Sequence, residues 1–173
     1  AENTGSVNLT QIAKALSLSK ATCTRAINDL SASGLISQTA EGTNKWITTA
    51  YTKSELLEKA YGRLKTPVDR ILYVKGTAQI EHPIASGIRE LARQSMIGVN
   101  DQDGAIAISK KEAAKIPAED ICTKQYFEDF GGAVIEVWSY DPTILERDGC
   151  VDDISLLLSM DNDPNERVQT CLD

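Results

Sequence analysis

The chain has 173 residues, 42% of them hydrophobic, so it can bury a core and form either one large domain or two small ones. Its net charge of −7 would repel a polyanion if the charge were evenly spread. No apolar run approaches the roughly 18 residues of a membrane span, and no basic-then-apolar signal segment opens the chain. The four scattered cysteines form no CxxC pair, which is typical of reduced thiols. These features predict a cytoplasmic protein without a membrane partner.

The charge is divided unevenly along the chain. Residues 1–65 carry eight Lys or Arg against five Asp or Glu, a net charge of +3, whereas residues 66–173 carry ten against twenty, a net charge of −10. A helix pattern also ends at Pro67. We therefore predict two domains, residues 1–66 and 67–173.

The segment from residue 8 reads NLTQIAKALSLSKATCTRAINDLSASGLI and predicts two helices joined by a tight turn. Thr10 is expected to cap the first helix, which should end near Ser17. Ser19 is expected to cap the second, and Gly34 to end it. Apolar residues fall at i, i+4 and i+7 on one side of the second helix, at Cys23, Ile27 and Leu30.

The next segment, LISQTAEGTNKWITTA, predicts two short strands joined by a turn at residues 41–44. Thr52 and Glu55 have the spacing of a capping box and predict a third helix. Two helices, a β-hairpin and a further helix make a winged helix-turn-helix.

Beyond Pro67 the periodicity changes repeatedly. RILYVKG, GAIAI and GAVIEVWSY predict strands, and the last should be central because it is apolar on both faces except at Glu136. The spacing from Ile84 to Met96 predicts a helix between the first two strands, and hence a crossover unit. VDDISLLLSM and DPNERVQTCL predict two more helices. The predicted fold class is α+β: a winged helix-turn-helix followed by a mixed α/β domain with a small sheet and flanking helices.

The second helix is polar or basic opposite its apolar stripe, without an acid, which suits a phosphate-lined groove. Arg25 and Asn28 are the candidates for base contacts, since their donors match guanine and adenine edges. The side chains of this face are Lys20, Thr22, Thr24, Arg25 and Asn28.

LTQIAKALSLSKATCTRAINDLSASGLI, together with the predicted hairpin, resembles the winged-helix module of bacterial regulators such as the MarR family. In that family the helix after the SLSKAT segment is the recognition helix. The resemblance implies that a set of residues approaches double-stranded DNA: Ser19, Lys20, Thr22, Thr24, Arg25 and Asn28, with Thr43, Asn44 and Lys45 on the wing.

VIEVWSYDP followed by VDDISLLLSMDNDPNERVQ resembles the second half of two-domain regulators that include the abortive-infection antitoxins of type IV toxin–antitoxin systems. That resemblance implies autorepression of an operon. We predict a bacterial repressor that binds two half-sites as a homodimer, with a second domain that dimerises, senses a small molecule or binds a protein. The alternative is an antitoxin-like interaction module whose second domain counteracts a partner, with DNA binding for autoregulation.

Candidates for catalysis have simpler interpretations. His82 and Glu81 could act as acid and base, but no nucleophile or metal-ligand motif accompanies them, which favours a surface loop. Four aspartates late in the chain suggest a metal site, although helix capping explains them as well: Asp152, Asp153, Asp161 and Asp163. Without a nucleotide-binding motif, we expect no enzyme activity, cofactor or metal. Trp138 and Tyr140 could line a ligand pocket, but core packing is the default.

Overall fold

The structure of the protein, a computed structural model, describes residues 6–42, 44–76, 78–94 and 104–160. The chain divides into a compact unit that ends at Leu64 and a second that begins at Lys65. Helices and strands occur in both, which confirms the predicted α+β class. The predicted helix at residues 163–172 lies outside the described residues, as does Met96.

The first unit is a winged helix-turn-helix. Its elements are β1 (Val7–Asn8), α1 (Leu9–Ala15), α2 (Lys20–Ala32), β2 (Ser37–Glu41), β3 (Asn44–Thr48) and α3 (Lys53–Tyr61). The strands pair antiparallel in the order β1-β3-β2. The core joins α1, α2 and β3 through Ala13, Cys23, Ile27 and Ile47. This core fixes α2 against the hairpin.

Helix α1 begins at Leu9, and Asn8 caps it instead of the predicted Thr10. Asn8 Oδ1 accepts a hydrogen bond from the Gln11 N–H at 2.9 Å, and Gln11 Oε1 accepts one from the Asn8 N–H at 2.9 Å. Leu9 is the first residue of the helix, and it packs against the core. The predicted cap was wrong because the reciprocal partner, a glutamine at the third helical position, belongs to Asn8.

The helices α2 and α3 begin where the sequence predicted. Ser19 Oγ accepts a hydrogen bond from the Thr22 N–H at 3.1 Å. Thr52 and Glu55 form the capping box of α3. Between α1 and α2, Ser17 has a φ of 50°, in the left-handed region, and the Leu18 N–H donates to the Ala13 carbonyl at 3.0 Å. This bond closes the end of α1 and turns the chain toward α2.

The second unit is built on a five-stranded mixed sheet. Its strands are β4 (Val68–Val74), β5 (Ile84–Ser86), β6 (Ala105–Ser109), β7 (Ile121–Cys122) and β8 (Ala133–Trp138). Its helices are α4 (Ile88–Gln94), α5 (Lys110–Ala113), α6 (Lys124–Phe130) and α7 (Asp153–Met160), with single 3₁₀ turns at Ala118–Asp120 and Pro142–Ile144.

The strand order is β5-β6-β8-β4-β7, which confirms that β8 is central. β6 runs parallel to β8, whereas β4 runs antiparallel to it. The predicted crossover from β4 to β6 was therefore wrong, because these strands run in opposite directions on either side of β8. Periodicity indicates strands but not their directions.

Both faces of this sheet are packed. Trp138 on β8 lies in one cluster with Leu91 of α4 and Leu156 of α7, while Ile135 and Val137 on the other face pack in a cluster that includes Ala113 of α5. β8 thus alternates between two cores, which explains its apolar sequence on both faces.

None of the described helices has the length and apolarity to cross a bilayer.

Candidate nucleic-acid interface

Helix α2 presents one exposed stripe opposite the core. Cys23 and Ile27 are only 3% and 7% exposed, whereas Arg25 and Asn28 are exposed. Arg25 and Asn28 are three residues apart, so they are neighbours on the helix surface. Exposed alanines lie four residues before Arg25 and four after Asn28, at Ala21 and Ala32. Small flanking residues leave room for this stripe to approach another surface closely.

Thr22 and Thr24 lie on the flanks of that stripe, where both are half-buried. The Thr24 hydroxyl donates to the Lys20 carbonyl at 2.8 Å, and the Thr22 hydroxyl lies 2.9 Å from Ser19 Oγ. Both hydroxyls are thus engaged within the helix. The structure brings Arg25 and Asn28 together at the centre of the face and places the two threonines at its edges.

The N-terminus of α2 favours an anion. Ser19 Oγ is occupied as a cap of the Thr22 N–H, and the first turn contains no acid. Within the described ranges, the backbone N–H groups of Lys20 and Ala21 have no acceptor. Free N–H groups and the positive end of the helix dipole together form a phosphate-binding arrangement.

The acidic residue of helix α2 lies in the second half of the helix. Asp29 is exposed and directly follows Asn28. Neither Lys20 nor Arg25 forms an ion pair with any described residue. The positive charge is therefore concentrated in the first two turns and is not neutralised there.

The wing is the β2–β3 hairpin, in which Glu41 pairs with Asn44 across a two-residue turn. Gly42 at this turn has a φ of 61°, which glycine adopts without strain. Lys45 is exposed and carries the positive charge of β3. Thr43 and the side chain of Asn44 lie outside the described residues.

Sequence reasoning missed Gln38, which connects the wing to α2. Gln38 Nε2 on β2 donates a long hydrogen bond of 3.4 Å to Asn28 Oδ1. The same contact leaves the Asn28 amide hydrogens available on the exposed side. The turn at residues 41–44 indicated a hairpin here, but no local pattern could pair residues ten positions apart.

Of the two acid–base candidates in the second unit, Glu81 forms an ion pair and His82 is exposed. Glu81 pairs with Lys115 at 2.5 Å, and this bond together with the Lys115 charge lowers the pKa of the Glu81 carboxyl. His82 is exposed and lines an open cleft of about 470 Å³ with Lys111 and Thr143. The hydroxyls that line this cleft bond to carboxylates within helix caps. Ser109 Oγ donates to Glu112 Oε2 at 3.1 Å in the capping box of α5. Thr143 Oγ1 donates to Asp141 Oδ1 at 2.7 Å at the start of a 3₁₀ turn.

The candidate metal ligands and pocket residues have structural roles in the part of the chain that the structure describes. Asp152 Oδ1 accepts a hydrogen bond from the Ser155 N–H at 3.1 Å, as a helix cap does, while Asp161 and Asp163 lie outside the described residues. No group of three potential metal ligands occurs among the residues described. Trp138 is 1% exposed, and Tyr140 lies against it with ring centroids 5.4 Å apart. Both therefore pack into the core.

A comparison with protein families addresses the first unit alone. Residues 2–37 match the family model described as winged helix-turn-helix DNA-binding. No curated protein and no solved structure matches the chain significantly. The matched segment contains α1, the turn and all of α2. The protein thus carries a winged helix-turn-helix of the DNA-binding kind, a module typical of transcription regulators.

Proposed function

We propose that the protein is a sequence-specific transcription repressor that binds double-stranded DNA through α2 in the major groove. The observation that supports this most directly is the exposed Arg25–Asn28 pair on a capped helix, flanked by alanines and free of ion-pair partners among the described residues. An α-helix fits the major groove, and such side chains reach base edges there.

The proposed contacts fall into two kinds. Arg25 donates to guanine and Asn28 binds adenine, and these contacts specify sequence. The N-terminus of α2 contacts phosphates, as does the wing, and these contacts fix position and affinity. The set proposed at phosphates comprises Ser19, Lys20, Thr22, Thr43, Asn44 and Lys45. Thr24 lies beside this set without donating to a phosphate, because its hydroxyl already donates to the Lys20 carbonyl.

The proposed active form is a homodimer. A single module of this size buries too little surface for tight specific binding, and two-fold symmetric regulators bind half-sites about 34 Å apart or a multiple of that. The resemblance of the first unit to the winged-helix module of MarR-type regulators supports this part of the proposal. The second unit then supplies dimerisation and regulation, and its net negative charge keeps it from competing for DNA.

Selection of bound fragments from genomic DNA tests the proposal and reports the site and its symmetry together. Fluorescence anisotropy on the selected site then compares Arg25→Ala with Arg147→Ala, a matched control that removes an exposed arginine from the second unit. We expect Arg25→Ala to cost about 1–3 kcal/mol of binding and to relax preference at one base pair. Equal binding by the two variants, or no binding by the unmodified protein at low salt, contradicts the proposal.

A further inference from the structure

Gln38 lies beside α2, where the core of the first unit ends. It pairs with Ile47 across the hairpin, and directly paired residues of antiparallel strands have side chains on the same face. Ile47 packs in the cluster that includes Ile27 of α2, and Ile36, two positions before Gln38, packs against the same cluster. The hairpin therefore directs the half-buried Gln38 side chain toward α2.

One hydrogen bond joins this side chain to the exposed face of the helix. Gln38 Nε2 donates to Asn28 Oδ1 at 3.4 Å. Among the side chains that the structure describes, Gln38 is the one that bonds to the Asn28 amide group. The turning of this amide group about its terminal bond is therefore restrained by β2 and not by α2 itself.

The orientation of an amide group determines which purine it can recognise. In the major groove adenine presents an acceptor, N7, beside a donor, the N6 amino group, whereas guanine presents two acceptors, N7 and O6. An amide that turns freely can offer its donor to either purine. An amide whose oxygen is held offers donor and acceptor in a fixed order, which matches adenine and not guanine. Because a carbonyl oxygen has two lone pairs, the bond from Gln38 leaves one on Asn28 Oδ1 for adenine.

We propose that Gln38 is a positioning residue of the DNA interface, and that its hydrogen bond makes Asn28 recognise adenine in preference to guanine. Gln38 acts through Asn28 and needs no contact with DNA of its own. The inference rests on the proposed function for the contact between Asn28 and a base, and it adds the residue that sets the choice of base. A bond of 3.4 Å between solvent-accessible groups contributes little to stability, so its loss should alter that choice and not the fold.

Three substitutions at position 38 separate the hydrogen bond from the presence of a side chain. Gln38→Met keeps the length and has no N–H donor. Gln38→Lys can only donate and so can still hold Asn28 Oδ1, whereas Gln38→Glu can only accept and binds the Asn28 N–H groups in place of the oxygen. The control is Thr39→Ala, an exposed position on the opposite face of β2.

Fluorescence anisotropy of the full chain measures the choice of base. The probes are the selected DNA site and variants of it at the base pair where Asn28→Ala loses preference. Gln38→Met and Gln38→Glu should lower the preference for adenine over guanine there by about three- to tenfold, whereas Gln38→Lys and Thr39→Ala should retain it. The charges added by lysine and glutamate change the affinity for all probes alike, so they cancel in this ratio.

The combination of Gln38→Met with Asn28→Ala shows whether Gln38 acts through Asn28. Gln38→Met should have no further effect on base preference once the Asn28 amide is removed. An effect that persists there overturns the proposal, because Gln38 would then contact DNA itself. The proposal is also overturned by a preference that is unchanged in Gln38→Met, or that is kept in Gln38→Glu and lost in Gln38→Lys.

An NMR measurement on the DNA-free protein separates this inference from the proposed function. The order parameter of the Asn28 side-chain amide should fall in Gln38→Met and be retained in Gln38→Lys. If it does so while no genomic fragment binds at low salt, the positioning by Gln38 is supported and the repressor is contradicted. If selected DNA binds and none of the changes at position 38 alters base preference, the inference alone is contradicted.

Discussion

The hydroxyl of Ser86 donates a hydrogen bond of 2.7 Å to Oε2 of Glu136 in the interior of the second unit. Trp138 Nε1 donates to the same oxygen at 3.0 Å. Burial raises the pKa of the Glu136 carboxyl, and the two hydrogen bonds oppose that rise only in part. The central strand of the sheet therefore holds a carboxyl group whose ionisation is unfavourable.

We expect this carboxyl to make the second unit less stable as the pH rises. Because the folded-state pKa of Glu136 lies above the reference value of 4.5, the folded chain binds the proton more tightly than the unfolded chain. The contribution is complete below the unfolded pKa and is lost as the pH rises through the folded pKa. Urea unfolding of Glu136→Gln should show a gain over the unmodified protein that grows as the pH rises above 4.5.

The control for this experiment is Glu58→Gln, which removes an exposed carboxyl from α3. Glutamine at position 136 can still accept from Ser86 and Trp138, so the comparison isolates ionisation from hydrogen bonding. A pH dependence that is the same in Glu136→Gln and in the unmodified protein would falsify the assignment.

Gly132 should tolerate no side chain. Its φ is 146°, and a Cβ there would overlap the carbonyl oxygen of Val74 on β4. Gly131, beside it, also has a positive φ of 76°, but a Cβ there meets nothing within 4 Å. We expect Gly132→Ala to cost on the order of 3 kcal/mol or more, and Gly131→Ala roughly 1 kcal/mol, in the free energy of unfolding. If thermal unfolding gave equal losses of stability for Gly132→Ala and Gly131→Ala, β4 would have moved away from the new Cβ at position 132.

The cap of α2 should be measurable as stability. Ser19→Ala removes the acceptor of the Thr22 N–H, which should cost about 1 kcal/mol in the free energy of unfolding. Ser37→Ala, an exposed serine at the start of β2, is the matched control and should change little. A Ser19→Ala protein that unfolds at the same urea concentration as the control would mean that another group caps the helix.

The wing should contribute to affinity without contributing to sequence preference. Lys45→Ala removes one exposed positive charge, and if that charge lies at a phosphate, the slope of log K against log salt should fall by about 0.9. The loss should be similar for all sequences, in contrast to Arg25→Ala. A salt slope unchanged from that of the unmodified protein would place Lys45 away from the backbone.

The sequence predicted the first unit well because its determinants are local. Ser19 and the stripe through Cys23 and Ile27 define α2 within a few residues, and Thr52 with Glu55 does the same for α3. The α1 cap failed within the same local range, since Thr10 and Asn8 are both capping types and only the contact with Gln11 distinguishes them.

The fold of the second unit could be predicted only in part, because it depends on contacts between distant segments. β8 could be recognised as central from its apolar residues, but the opposite directions of β4 and β6 depend on pairing between distant segments. Ser86 and Glu136 are fifty positions apart, so no periodic pattern in the sequence could predict their contact. Helix α6 was not predicted from the sequence, because its seven residues span too few turns to show a helical period.

The central position of β8 also bears on how the chain is synthesised. β5 pairs with β6, and β4 pairs with β7, but within the described part only β8 joins these two pairs. Among the described strands of this sheet, it is also the last to leave the ribosome. The nascent second unit must therefore carry two unfinished sheets with open edges until residue 138 emerges, a state prone to aggregation. Chains terminated before β8 should be substrates for chaperones and proteases, although the winged helix-turn-helix has all its core residues by then.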